Sequence, residues 1–207
     1  MILPPGVSGA AFTTAEDGDQ RHDPQARSSI SRRLDIPATW ATLRQAHHNR
    51  VIEAGSAGEL GEADALFTSV PRLPLAVFTA DCFGAVLRAG SAVGVAHAGW
   101  RGIAAGVLER LREEMTAAGH PPSLAAVGPG IGGCCFEVGP EVEARFPLHR
   151  SRTRWGTPSV DLRAAAQSQL SGMEVWFLPA CTYHDPGHFS HRRLKAVERM
   201  ATIGWVP

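Results

Sequence analysis

A chain of 207 residues, with 20 Lys and Arg against 20 Asp and Glu and 44% hydrophobic residues, is long enough to bury a core of its own. Its zero net charge argues against a partner held by bulk electrostatics, so neither nucleic acid nor a membrane surface is expected. No apolar run reaches the roughly 18 residues of a membrane span, and "MILPPGVSGAAFTTAEDGD" lacks the basic-then-apolar order of a signal peptide. The expectation is one domain over residues 1–207, in the cytoplasm, with its four cysteines (Cys82, Cys134, Cys135 and Cys181) as reduced thiols.

In chain order, the polar segment 14–33 predicts a loop leading into a short helix. "LRQAHHNRVIEAG" (43–55) predicts a strand interrupted at His47 and His48, then a second β-rich stretch, and 55–61 a loop of small residues. "LAVFTADC" (75–82) has the branched, apolar content of a buried strand. "AVLR" and "AVGVAHA" flank Ala89-Gly90-Ser91, a hairpin signal. With Ala89 and Gly90 as the turn, position 97 falls opposite position 82, which would set His97 beside Cys82 on one face. From Ile103 to Met115 the apolar residues follow a helical period that ends at Gly119 and Pro121. A strand running into the glycine-rich "GPGIGG", a short helix at "GPEVEARF", a helix at "VDLRAAAQSQLSG", a strand at "MEVWFLP" and the loop "ACTYHDPGHFSHRR" complete the pattern. Irregular alternation with at least one antiparallel hairpin points to an α/β or α+β sandwich more than to a doubly wound parallel sheet.

His47, Cys82 and His97 are candidate metal ligands. Imidazole and thiolate suit zinc, and three protein ligands leave a fourth position open. The bland alternative makes Cys82 a small buried hydrophobe and each histidine a surface or capping residue. Arg101, at the start of the helix after His97, is a candidate anion contact, and "SHRR" adds His191, Arg192 and Arg193. "GPGIGGCC" lacks the Lys-Ser/Thr of a phosphate loop, so its glycines suit tight turns. Cys134 or Cys135 as a nucleophile with a histidine base ranks below the metal reading, because no local feature marks either thiol as activated. "CTYHDPGHF" gathers Cys181, Tyr183, His184, Asp185 and His188 into one loop, a functional hint, although Asp185-Pro186 is also a plain turn signal.

"RQAHHNRV", "DALFTSVPRLPLAVFTADC", "GVAHAGWRG", "VGPGIGGCCFEVGPEV", "VDLRAAAQSQL" and "CTYHDPGHFSHRR", in this order, resemble the bacterial laccase-domain family, also described as multicopper polyphenol oxidase or YfiH-like. The resemblance runs from about Gln45 to the C-terminus. It implies a single-domain α/β layered sandwich of mixed sheets flanked by helices, similar to the YfiH-like, cysteine-hydrolase-like architecture. It implies zinc on His47, Cys82 and His97, with copper as the other ion the family name suggests. The activity implied is purine nucleoside phosphorolysis of adenosine, inosine and methylthioadenosine, with adenosine deamination beside it. Cys82, His97 and Arg101 would be catalytic, and Arg101, Cys134, His191 and Arg192 would bind the nucleoside and phosphate. A monomer or weak homodimer is expected. The alternatives are a copper-dependent polyphenol oxidase, a peptidoglycan-editing hydrolase and a divergent zinc-binding member without activity. In the last, a non-enzymatic partner protein, a fourth ligand such as Cys134 or His191 would close the trio. The chain departs from the family pattern at His48, which follows the first ligand histidine, at Ala15, where an arginine is expected, and at His184, where cysteine is common.

Overall fold

Alternate residues of a strand point to opposite faces, and in most strands of this chain both faces are apolar, which requires a covering layer on each side. The computed structural model describes residues 1–207. The strands are β1 (Ala10–Phe12), β2 (Ala41–Arg44), β3 (Val51–Glu53), β4 (Gly58–Glu62), β5 (Ala65–Thr68), β6 (Leu75–Thr79), β7 (Phe83–Ala89), β8 (Ala92–Ala98), β9 (Leu124–Val127), β10 (Arg150–Arg152), β11 (Pro158–Val160), β12 (Glu174–Phe177) and β13 (Met200–Gly204). The helices are α1 (Pro24–Leu34), α2 (Trp100–Ala104), α3 (Val107–Ala117), α4 (Pro140–Ala144), α5 (Leu162–Gln169) and α6 (His191–Leu194).

Two mixed sheets result, one in the order β1-β13-β6-β2-β4 and one in the order β12-β9-β7-β8-β5-β3, with β10-β11 as a separate ribbon. Phe12, Leu43, Leu75, Val77, Val86, Val93 and Val95 pack between the sheets. On the outer face of the five-stranded sheet, Ala11, Ala76, Phe78 and Ile203 pack with Ile30 of α1 and with Trp40. On the outer face of the six-stranded sheet, Leu87, Ala96 and Val127 pack with Leu108, Leu111 and Met115 of α3 and Leu162 and Ala166 of α5. The molecule is therefore a four-layer α/β sandwich, with one helix layer outside each sheet.

Between the sheets the backbones approach closely. A Cβ on Gly84 would lie 1.9 Å from Thr202 Oγ1 of the facing sheet, so only glycine fits there.

Three expectations are corrected. The segment around 58–62 is a strand, β4, paired in parallel with β2. The single helix expected over 103–115 is two helices, because Gly106 takes φ +78° between α2 and α3. In the hairpin, Ala89 pairs with Ala92, so His97 lies opposite Gly84 and not Cys82. The slip is by two residues, an even number, and it keeps Cys82 on the His97 face, diagonally across the pair.

Candidate metal centre

His47, Cys82 and His97 meet at one end of the inter-sheet layer. Each stands at or just beyond the end of a strand. His97 is the penultimate residue of β8, Cys82 stands one residue before β7, and His47 follows β2 in a turn. Their three ligand atoms lie within 4.8 Å of one another. The imidazoles of His47 and His97 meet edge to face, with centroids 4.7 Å apart. His47 is held at φ +65° and Asp81, beside Cys82, at φ +88°, in the left-handed region that non-glycine residues rarely adopt. Strained backbone of this kind persists where the surroundings over-determine it, as at binding sites.

Space for the trio comes from Gly99. A Cβ there would fall 2.9 Å from Cys82 Sγ and 3.2 Å from His47 Cδ2. Gly99 also caps the N-terminus of α2, so the turn that starts the helix is the turn that makes room for the ligands.

Asp64, which the sequence reading missed, orients the centre. It is fully buried, and its Oδ1 lies 2.7 Å from His97 Nδ1. Its Oδ2 accepts from the backbone N–H of Ala46 and of His48, at 3.1 and 2.9 Å. One carboxylate thereby fixes the His97 ring and the turn that carries His47, leaving His97 Nε2 for the trio. Its signal was a lone carboxylate inside the apolar stretch 63–67, "ADALF". His48 turns away from the trio, toward Asp64 Oδ2 at 3.2 Å and Glu62 at 3.4 Å.

Desolvation by burial acts to raise the Asp64 pKa, but the hydrogen bond from His97, the His48 N–H and the His97 charge hold it at about 2. Burial likewise acts to raise Cys82, yet the charge of His97 and the hydrogen bonds from His47 and His97 bring the thiol down to about 6. Burial acts to lower His97, while the Cys82 thiolate and Asp64 lift it to about 9. Both shifts run in the direction that favours a thiolate–imidazolium pair, and a metal cation entering the trio would take the place of the His97 proton. Two imidazoles, one thiolate and a buried carboxylate behind one ring match the donor chemistry of zinc.

The trio forms part of a cavity of about 340 Å³. Arg21, Arg192, Arg199 and His191 line it, with Phe78, Ile131 and Phe136 as apolar wall. Asp81 supplies its one carboxylate, already engaged by the Thr182 hydroxyl and the Arg192 backbone N–H, both at 2.6 Å. The residues lining the cavity therefore carry more cationic than anionic side chains, with Arg192 Nη1 donating to the Glu137 carbonyl and Arg199 Nη1 to the carbonyls of Ala196 and Glu198. Of the anion contacts expected from sequence, Arg192 and His191 line this cavity. Arg101 does not: it is exposed, with its guanidinium stacked on Trp100 at 4.2 Å, because the first turn of α2 points it outward. Arg193 donates to the carbonyls of Tyr183 and His188 and so braces its own loop. Cys134 joins neither the cavity nor the trio; it belongs to a separate group with Cys135, Cys181 and His184. Arg21 and Arg199 were not foreseen, because no motif singles them out among the neighbouring basic residues and they join Arg192 only in the fold.

A four-layer α/β sandwich with a His/Cys/His centre at the end of its inter-sheet layer defines a class of metal-binding-type protein. The chain matches the family model described as multi-copper polyphenol oxidoreductase laccase over residues 5–207, and it belongs to that family. It is 37% identical over 221 residues to a purine nucleoside phosphorylase of Mycobacterium tuberculosis, covering 97% of this chain and 88% of the relative. It is 35% identical over 222 residues to one from Streptomyces griseus, covering 97% and 90%. Among solved structures, YlmD of Geobacillus stearothermophilus superposes with a TM-score of 0.85 at 26% identity, covering 98% of this chain and 94% of that one. The YfiH protein of Bacillus licheniformis, at 23% identity and a TM-score of 0.85, shares the fold.

Proposed function

We propose that this protein is a zinc-dependent purine nucleoside phosphorylase acting on adenosine, inosine and methylthioadenosine, with adenosine deamination as a side activity. The observation that carries the reading is that the His47–Cys82–His97 trio and three arginines, Arg21, Arg192 and Arg199, line one cavity of about 340 Å³. Relatives 35–38% identical that are named purine nucleoside phosphorylases support it. The donor set favours zinc over a multicopper cluster. Of the nine histidines in the chain, only His47, His97 and His184 lie in a ligand group, and His184 belongs to the separate one.

His47, Cys82 and His97 would hold the zinc ion, which when bound would supply Lewis-acid chemistry beside the reacting groups. Arg192, Arg199 and Arg21 hold phosphate by charge-assisted hydrogen bonds and set one of its oxygens against C1′ of the ribose. The C–O bond to phosphate forms as the C1′–N bond breaks, and the bonding pair leaves with the purine, which takes a proton. His191 stands in the cavity wall to give it. Phe78, Ile131 and Phe136 pack the apolar faces of the base. Asp81 positions this wall by tying Thr182 and Arg192 to the turn before Cys82.

Incubation with each of the three nucleosides, with and without phosphate, followed by separation of the products, tests the reading. Free base and ribose 1-phosphate should form only when phosphate is present. Absence of base release from all three substrates, or release that ignores phosphate, overturns it.

A further inference from the structure

We infer that Cys134, Cys135, Cys181 and His184 form a second, structural metal site that takes a zinc ion and staples together two loops that stand behind the cavity wall. This site stands independently of the proposed activity, because it shares no residue with the first trio.

The four donor atoms, three sulfurs and one imidazole nitrogen, lie within 4.8 Å of one another. Cys135 Sγ and Cys134 Sγ are 3.0 and 3.5 Å from His184 Nε2. Three cysteines and one histidine are a closed tetrahedral zinc set, with no position left for substrate. The ligands come from distant stretches, 134–135 and 181–184, so no local spacing motif announces them. The backbone brings them together. Gly130 bridges to Cys181, the Thr182 N–H donates to the Gly130 carbonyl at 3.1 Å, and the Gly132 N–H donates to Cys181 Sγ at 3.2 Å. That last bond is the kind of outer contact that supports a ligating thiolate. Gly132 is also where a side chain would intrude, since a Cβ there would lie 3.2 Å from Cys134 Sγ and 3.6 Å from Cys181 Sγ.

As zinc binds, each thiol loses its proton to solvent and the metal takes the sulfur lone pairs. The His184 ring must then carry its proton on Nδ1, which now lies 2.9 Å from an Arg154 guanidinium nitrogen. Arg154 is exposed and lies over the rings of Trp155 and Tyr183, 5.4 and 6.0 Å from their centroids, and a small turn of its guanidinium away from Nδ1 would keep a positive charge near an anionic Cys₃His–zinc unit.

The consequence is local order. Ile131 and Phe136 flank Cys134 and Cys135, and Thr182, one residue from Cys181, holds Asp81. An ion on the four donors fixes the wall of the cavity from behind.

The test uses the full chain and its Cys82→Ala variant, which disables the first centre, loaded with Zn²⁺ or Co²⁺. Native mass spectrometry should find two zinc ions on the wild-type chain and one on Cys82→Ala. Co²⁺ added to Cys82→Ala should produce thiolate-to-cobalt charge-transfer absorption. Adding Cys134→Ser or His184→Ala, both at exposed positions, should remove or strongly shift that absorption while far-ultraviolet circular dichroism stays unchanged. A Cys82→Ala chain that binds neither ion with thiolate ligation overturns the inference. So does peptide mapping that finds two of the three cysteines joined as a disulfide. Phosphorolysis is assayed separately, so failure of one reading leaves the other standing.

Discussion

Cys82 and Asp64 divide the work of the first centre, one binding and one orienting. Cys82→Ala removes the only sulfur donor of the trio and should abolish both its zinc and phosphorolysis. His48→Ala should keep both, because His48 faces Glu62 and Asp64. Asp64→Asn leaves the ligands in place but withdraws the carboxylate behind His97, and should weaken metal affinity by about 10–100-fold in a chelator competition. Arg192→Ala and Arg199→Ala each remove a guanidinium from the cavity and should raise the KM for phosphate about tenfold or more, the worth of a hydrogen bond to a charged group. Arg101→Ala should leave that KM within about twofold, since Arg101 stacks on Trp100 outside the cavity.

At the scale of elements, the centre depends on where strands stop. β8 delivers His97 one residue before its end, and Gly99 then caps α2. Gly99→Ala keeps a residue that α2 tolerates but drives a methyl group into Cys82 and His47. It should displace the ligands, so metal content falls while the helical circular dichroism signal holds. Gly84→Ala acts on the packing of the two sheets instead. Its Cβ has no room against Thr202, and overpacking of this kind costs about 1–3 kcal/mol, measurable as a lower midpoint in urea.

At the scale of the molecule, the inter-sheet layer carries a buried charge at its end, and this sets a pH dependence. Asp64 has its pKa held at about 2 in the folded chain, below the ordinary carboxylate value of 3.8. A carboxylate lowered on folding contributes stability above its unfolded pKa and loses it as pH falls through the folded one. Unfolding free energy of the chelator-treated protein should therefore drop between about pH 4 and pH 2, and Asp64→Asn should flatten that part of the profile. No helix is long and apolar enough to cross a membrane.

The local elements were largely legible: a strand within 75–82, which the structure ends at Thr79, the hairpin, a helix within "VDLRAAAQSQLSG" and the interruption at His47 and His48 all follow from periodicity, glycine and composition. His47, Cys82 and His97 were legible as ligand types at strand ends. Their meeting was not derivable from spacing alone, because it depends on a register that the turn sets and on two sheets packed face to face. Only the tertiary structure decided that Asp64 stands behind His97, that Arg21 and Arg199 share a cavity with Arg192 while Arg101 does not, and that Cys181 and His184 reach Cys134 and Cys135. Chain-local patterns encode which face of an element is apolar. They do not encode which distant element covers it, and every part of both sites that escaped the sequence is a contact between distant segments.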